Sequence, residues 1–178
     1  MLDPQSQLSP ELEKQRYLLH NNDAADPGYQ KFVQPIVDAV KMNFNSKHQG
    51  LDFGSGSESV VAKLLGDSGY SLSLYDPFFH NEQKLLKKTY DYIVCCEVME
   101  HFVDPKNEFT LLRSLLQENG KLFCMTSIYN EEIDFKNWYY KNDLTHRFFY
   151  HKNSLAWIKS AHNFSALKIK DNLIEFAV

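Results

Sequence analysis

The chain has 178 residues, of which 43% are hydrophobic, 14% aromatic and 24% charged; this suffices to bury one domain's core and is too short for two ordinary domains. Such a composition excludes a disordered or low-complexity chain. The net charge of −4, with Lys84, Lys87 and Lys88 as the densest cationic stretch, gives no electrostatic reason to bind nucleic acid. No run reaches the roughly 18 apolar residues of a membrane span, and "MLDPQSQLSPELEKQ" lacks the basic start and apolar middle of a signal peptide, so no membrane partner and a cytoplasmic location are expected. Cys95, Cys96 and Cys124 sit in apolar strand-like runs and are expected to be reduced core residues.

Residues 1–45 read as an N-terminal arm and helices, and 46–178 as the core of a single domain. "SPELEKQRYLLH" predicts a short helix with Ser9 as its cap and Pro10 at the first position. In "DPGYQKFVQPIVDAV", Phe32, Ile36, Val37 and Val40 recur at helical spacing, and Pro35 predicts a kink or a restart. From residue 50 strands and helices alternate. "GLDF" is a strand, "SESVVAKLLGDSG" a helix starting near Ser57 or Glu58, "YSLSLYD" a strand and "YDYIVCCE" another. "KNEFTLLRSLLQENG" predicts a helix ending at Gly120, "KLFCMTS" a fourth strand, and "KNSLAWIKSAHN" a helix capped by Asn153. The tail "SALKIKDNLIEFAV" predicts a hairpin turning at Asp171 and Asn172. Together these predict an α/β three-layer sandwich: a mostly parallel sheet, helices on both faces, and an antiparallel terminal hairpin.

Such sheets bind ligands at the carboxyl ends of their strands. In "LDFGSGSES" two glycines, Gly54 and Gly56, flank Ser55 and let the backbone turn sharply and approach a ligand closely. Asp76 closes the next strand about 20 residues on, where an acid accepts from ribose hydroxyls. A dinucleotide turn would carry a third glycine and avoid carboxylates, whereas Ser57, Asp52 and Glu58 occupy this one. A zwitterionic, sulfonium-bearing adenosine cofactor, S-adenosylmethionine, suits that acidic turn better.

With "LDFGSGSES", "YDPFF", "YDYIVCCEVMEHF" and "WYYKNDLTHRFFYHKNSLAWI" in this order, the chain resembles a class I S-adenosylmethionine-dependent methyltransferase. The likeness extends to the small bacterial group labelled methyltransferase type 11 or 23, over about residues 16–178. It implies a Rossmann-like fold, S-adenosylmethionine as methyl donor and S-adenosylhomocysteine as product. Carried over by position, Asp52, Gly54, Ser55 and Gly56 would line the methionine part, with Asp52 meeting its ammonium. Asp76 would hold the ribose, Pro77 or Phe78 would pack near the adenine, and Glu97, Val98 and Met99 would face the donor. Tyr17, His20 and Asn21 would belong to a lid over the cofactor.

Methyl transfer from a sulfonium is a displacement in which alignment and exclusion of water do most of the work. If a proton must leave the acceptor, His146, in a long insert spanning 129–152, is the first candidate base or substrate contact, and His101 the second. The insert's aromatic residues, Trp138, Tyr139, Tyr140, Phe148, Phe149 and Tyr150, either wall an acceptor pocket or anchor the loop. No metal site is expected, because Asp143 and His146 at i, i+3 have no second ligand pair in the sequence. The expected acceptor is a small molecule carrying a hydroxyl, carboxyl or amine. A cofactor-binding module without activity and a nicotinamide-dependent oxidoreductase are the alternatives.

Overall fold

Ser9 starts the first helix, α1 (Pro10–Leu18), as its hydroxyl accepts from the Leu12 N–H at 3.4 Å and its carbonyl from the Glu13 N–H at 2.9 Å. The computed structural model describes residues 8–18 and 25–178; the expected lid residues His20 and Asn21 lie outside these. Asp26 caps α2 (Pro27–Asn43), accepting from the Gly28 N–H at 2.8 Å. This helix runs unbroken through Pro35. Proline removes one rung of the ladder, but Val33, Ile36, Val37 and Val40 are buried along one face and hold both halves against the sheet.

Six strands follow: β1 (Gln49–Phe53), β2 (Ser71–Tyr75), β3 (Tyr90–Cys96), β4 (Leu116–Met125), β5 (Ala166–Lys170) and β6 (Leu173–Ala177). Their order is β2-β1-β3-β4-β6-β5, with β1 to β4 parallel and β6 antiparallel to both β4 and β5. The fold is the expected Rossmann-like α/β sandwich with its terminal hairpin. One face of the sheet buries Val94, Phe123 and Met125 against α2 and α3 (Val60–Gly66). The other buries Ile93, Leu122 and Phe176 against α4 (Pro105–Ser114) and α5 (Lys152–Ala161). Cys95, Cys96 and Cys124 are free thiols on or beside these faces.

Three helix boundaries differ from expectation. Helix α3 begins at Val60, not at Ser57 or Glu58, because Ser59 caps it by accepting from the Ala62 N–H at 2.9 Å. Helix α4 stops at Ser114 rather than at Gly120. There Leu116 pairs with Tyr90, and a bulge through Asn119 (φ 64°) and Gly120 shifts the register so that Lys121 pairs with Tyr92. A Cβ at Gly120 would come within 2.9 Å of the Gln117 carbonyl. Helix α5 is capped by His151 rather than Asn153, with Ser154 completing a capping box.

Candidate active site

The strand order changes direction at β1, whose neighbours are β2 on one side and β3 on the other. The loops leaving β1 and β3 therefore meet at the carboxyl end of the sheet, where crevices form. The β1 turn is bound to β2 through the Gly54 and Ser55 N–H groups, which both donate to the Tyr75 carbonyl at 2.8 and 3.1 Å. Gly54 is left-handed (φ 81°), and a Cβ there would lie 2.5 Å from the Val98 methyls, so the two loops touch through this glycine. Gly56 (φ 63°) differs in having open space on its Cβ side. That space is a cavity of about 690 Å³, bounded by Asp52, Gly56, Asp76, Glu97, His101 and His146 among others.

Asp52 at the end of β1 is 3% exposed and accepts from the Ser59 hydroxyl. Burial pushes its carboxyl up to about 6 despite that hydrogen bond. Asp76 is held by the backbone: its Oδ1 accepts from the Phe78 and Phe79 N–H groups at 2.8 and 3.1 Å, and its Oδ2 from Gly56 at 3.0 Å. One lone pair of Oδ2 remains directed elsewhere. Glu97 carries the strained backbone of the site. Of the described non-glycine residues with positive φ, namely Glu97, Asn119, Asn163 and Asp171, it alone is neither Asn nor Asp, the types that tolerate this region. Burial pushes its carboxyl up to about 7.

Behind Glu97 lies a second acid. Glu100 is fully buried, and burial followed by the nearby Glu97 charge drives its carboxyl well above the usual range. Both acids converge on the Tyr140 hydroxyl, which meets Glu97 Oε2 at 3.2 Å, Glu100 Oε1 at shorter range, and Thr126 Oγ1 at 2.9 Å. Burial and the two carboxylates push the Tyr140 phenol upward, so it stays a donor. Glu97 Oε1 and Glu100 Oε2 are buried without a hydrogen-bond partner.

The two expected histidines are adjacent, with ring centroids 4.8 Å apart. His101 Nδ1 donates to the Thr145 carbonyl at 3.0 Å and His146 Nδ1 to the Tyr140 carbonyl at 2.7 Å; a carbonyl can only accept, which fixes Nδ1 as the protonated nitrogen. Helix α1 lies over this end of the cavity. Tyr17 stands between Phe78 and His101, at ring distances of 5.8 and 5.3 Å. Glu13 pairs with Arg147 at 2.8 Å, both buried, and Arg16 pairs with Asp143 at 3.2 Å. The insert contributes His146 and Arg147 to the cavity, whereas Trp138, Phe135 and Phe149 pack on one another and anchor the loop.

A family model described as "Methyltransferase domain" matches residues 21–169. The chain belongs to the class I S-adenosylmethionine-dependent methyltransferase family. Solved structures of similar fold include three methyltransferases. An O-methyltransferase family protein from Burkholderia thailandensis has 10% identity and a TM-score of 0.62, over 93% of this chain and 61% of that one. Human N-acetylserotonin methyltransferase in complex with S-adenosylmethionine has 12% identity and a TM-score of 0.60, over 83% and 53%. Magnesium protoporphyrin IX methyltransferase from Synechocystis, with S-adenosylhomocysteine bound, has 14% identity and a TM-score of 0.61, over 95% and 94%. This chain thus spans 61% and 53% of the first two. No curated protein gives a significant match.

The residues of this methyltransferase domain fit its cofactor. S-adenosylmethionine is cationic at its ammonium and sulfonium, and the cavity is bordered by the acids Asp52 and Glu97 and by the glycine backbone at Gly56, which no neighbour crowds. Of the expected cofactor residues among the described ones, Tyr17, Asp52, Gly54, Ser55, Gly56, Asp76, Pro77, Phe78, Glu97 and Val98 line one cavity. Met99 does not; it is fully buried in the core. Sequence reasoning missed Glu100, Thr126, Glu13 and Arg147, and named Tyr140 only as an aromatic of the insert, not as the partner of Glu97 and Glu100. The spacing of Glu97, Glu100 and His101 was the available signal, since the short turn Met99–His101 that follows Glu97 leaves His101 on the cavity and Glu100 buried behind it.

Proposed function

We propose that this protein transfers a methyl group from S-adenosylmethionine to a small-molecule acceptor, with oxygen as the favoured acceptor atom. The supporting observation is that the two-glycine turn and the paired histidines share a single cavity, so donor and acceptor ends are continuous. The cofactor supplies a methyl group activated on a sulfonium. Asp52 accepts a hydrogen bond from the cofactor's ammonium, and Asp76, oriented by three N–H groups, offers its remaining Oδ2 lone pair to a ribose hydroxyl. Pro77 and Phe78 flank the adenine. Tyr17 and the ion-paired α1 cover the cleft and keep water from the displacement. His101 and His146, with Nδ1 committed to carbonyls, border the acceptor end of the cavity. An oxygen acceptor is consistent with the name of the Burkholderia neighbour.

Calorimetric titration of the full chain with S-adenosylmethionine, S-adenosylhomocysteine and NADH tests this reading. Micromolar binding of the first two and none of NADH is expected, and binding of NADH alone would overturn it. Methyl-labelled S-adenosylmethionine incubated with pools of phenols, carboxylic acids and amines then identifies the acceptor class.

A further inference from the structure

We infer that Glu108, on helix α4, selects the base of the cofactor: its carboxylate accepts a hydrogen bond from the exocyclic 6-amino group of adenine. The inference rests on the methyl-transfer reading, because it needs S-adenosylmethionine in the cavity.

The cavity crosses the carboxyl edge of the sheet from one face to the other. On the α2 and α3 face its wall includes Tyr29, Val33 and Cys96. On the α4 face it includes Phe53, Tyr75 and Phe102. Asp52 belongs to the first end, since it alternates along β1 with Leu51 and Phe53 and bonds the Ser59 cap of α3. The cofactor is linear, with its amino acid at one end and its base at the other. With the ammonium at Asp52 and the ribose at Asp76, the base is carried past Phe78 to the α4 end.

That end is built for a flat apolar ring. Phe53 stacks on Tyr75 with centroids 5.3 Å apart, and Phe102 meets Phe53 at 6.3 Å and Phe109 at 5.6 Å. A purine also has a polar edge, and taking it out of water costs free energy unless a partner meets it. Glu108 and Leu111 lie on one face of α4 and both line the cavity. Of the other acids there, Glu13 is engaged by Arg147 and Tyr17, and Asp76 by three N–H groups. Glu108 is half-buried; burial, followed by the Asp104 charge, raises its carboxyl, and no group among the described residues donates to it. A place in the first turn of α4 suits an acid through the helix dipole, but that effect does not require the side chain to be half-buried against the cavity. A carboxylate only accepts, and the 6-amino group is the one N–H donor of a ribosylated adenine. The two are complementary.

The test is calorimetric titration of the full chain at pH 8 with S-adenosylhomocysteine and with its analogue that carries hydrogen in place of the 6-amino group, beside the variants Glu108→Leu and Glu108→Gln. Native protein is expected to bind the analogue roughly 10- to 100-fold more weakly, the worth of a hydrogen bond to a charged group. Glu108→Leu should bring the two ligands within about threefold of each other by weakening S-adenosylhomocysteine, whereas Glu108→Gln, whose carbonyl still accepts, should keep a reduced preference of roughly three- to tenfold. A role in folding alone would leave the ratio of the two affinities unmoved. If thermal melts show that Glu108→Leu does not fold, Glu108→Gln decides, and an undiminished preference there overturns the inference. Native protein that binds both ligands equally, or a folded Glu108→Leu that keeps the full preference, overturns the role of Glu108 and leaves the methyl-transfer reading standing. Native protein that binds neither ligand overturns the methyl-transfer reading, and the inference with it.

Discussion

Asp52→Asn should improve the stability of the ligand-free protein while spoiling it as a cofactor binder. The Asp52 carboxyl is raised from its ordinary 3.8 to about 6 by burial. A carboxyl raised on folding destabilises the fold when ionised; the penalty is complete above pH 6 and fades as pH falls toward 4. A rise of this size corresponds to about 3 kcal/mol, an upper bound on what the neutral amide can restore to the ligand-free protein at pH 8. The cofactor's ammonium needs the ionised carboxylate, so affinity couples to the same titration in the opposite sense. For a group titrating near 6, the Kd of S-adenosylhomocysteine should be nearly constant from pH 7 to 8 and about tenfold weaker at pH 5, with about half a proton released on binding at pH 6. Calorimetry in two buffers of different ionisation enthalpy measures both quantities, and the homocysteine product is the right probe because it keeps the ammonium without the sulfonium. The variant should bind weakly at every pH and show no such slope. A native Kd that is flat between pH 5 and 8, or a variant that keeps the slope, would refute the assignment of the ammonium to Asp52.

Further outcomes follow from single contacts. Gly54→Ala places a Cβ 2.5 Å from the Val98 methyls at φ 81°, and should cost about 2–4 kcal/mol in urea unfolding, partly relieved by adding Val98→Ala. Arg147→Ala takes the cation from the buried Glu13 carboxylate, leaving it the Tyr17 hydroxyl, and should detach α1 before it unfolds the core. Hydrogen exchange at residues 10–18 should then accelerate while the sheet amides keep their protection. Tyr140→Phe removes the phenol shared by Glu97 and Glu100 and should cost about 1–3 kcal/mol of stability by thermal melt.

That the residues of the candidate cofactor end would meet at one cavity was legible because their placement is local. Gly54 and Gly56 sit in one turn, and Asp76 ends the adjacent strand at the spacing that a strand, helix and strand impose. The insert betrayed itself by its length, and His146 with it. Glu13, Tyr140 and Arg147 could not be read, since their roles depend on partners 40 or more residues away that carry no periodic signal. The misplaced end of α4 has a different cause. Leu115 and Leu116 continue the helical pattern of apolar residues, but Leu115 only caps α4 and Leu116 starts β4, where the register with Tyr90 outweighs local propensity. His151 escaped notice as a cap because histidine is seldom chosen for that position, although its ring accepts from the Asn153 N–H at 3.1 Å.

Helix α1 is fastened at Asp143 and Arg147, the residues on either side of His146. A door hinged on the very wall it closes against cannot swing without disturbing that wall. On the proposed reading, exchange of the cofactor beneath α1 would strain ion pairs that also brace the insert, so the clasp between α1 and the insert would couple the two ends of the cleft.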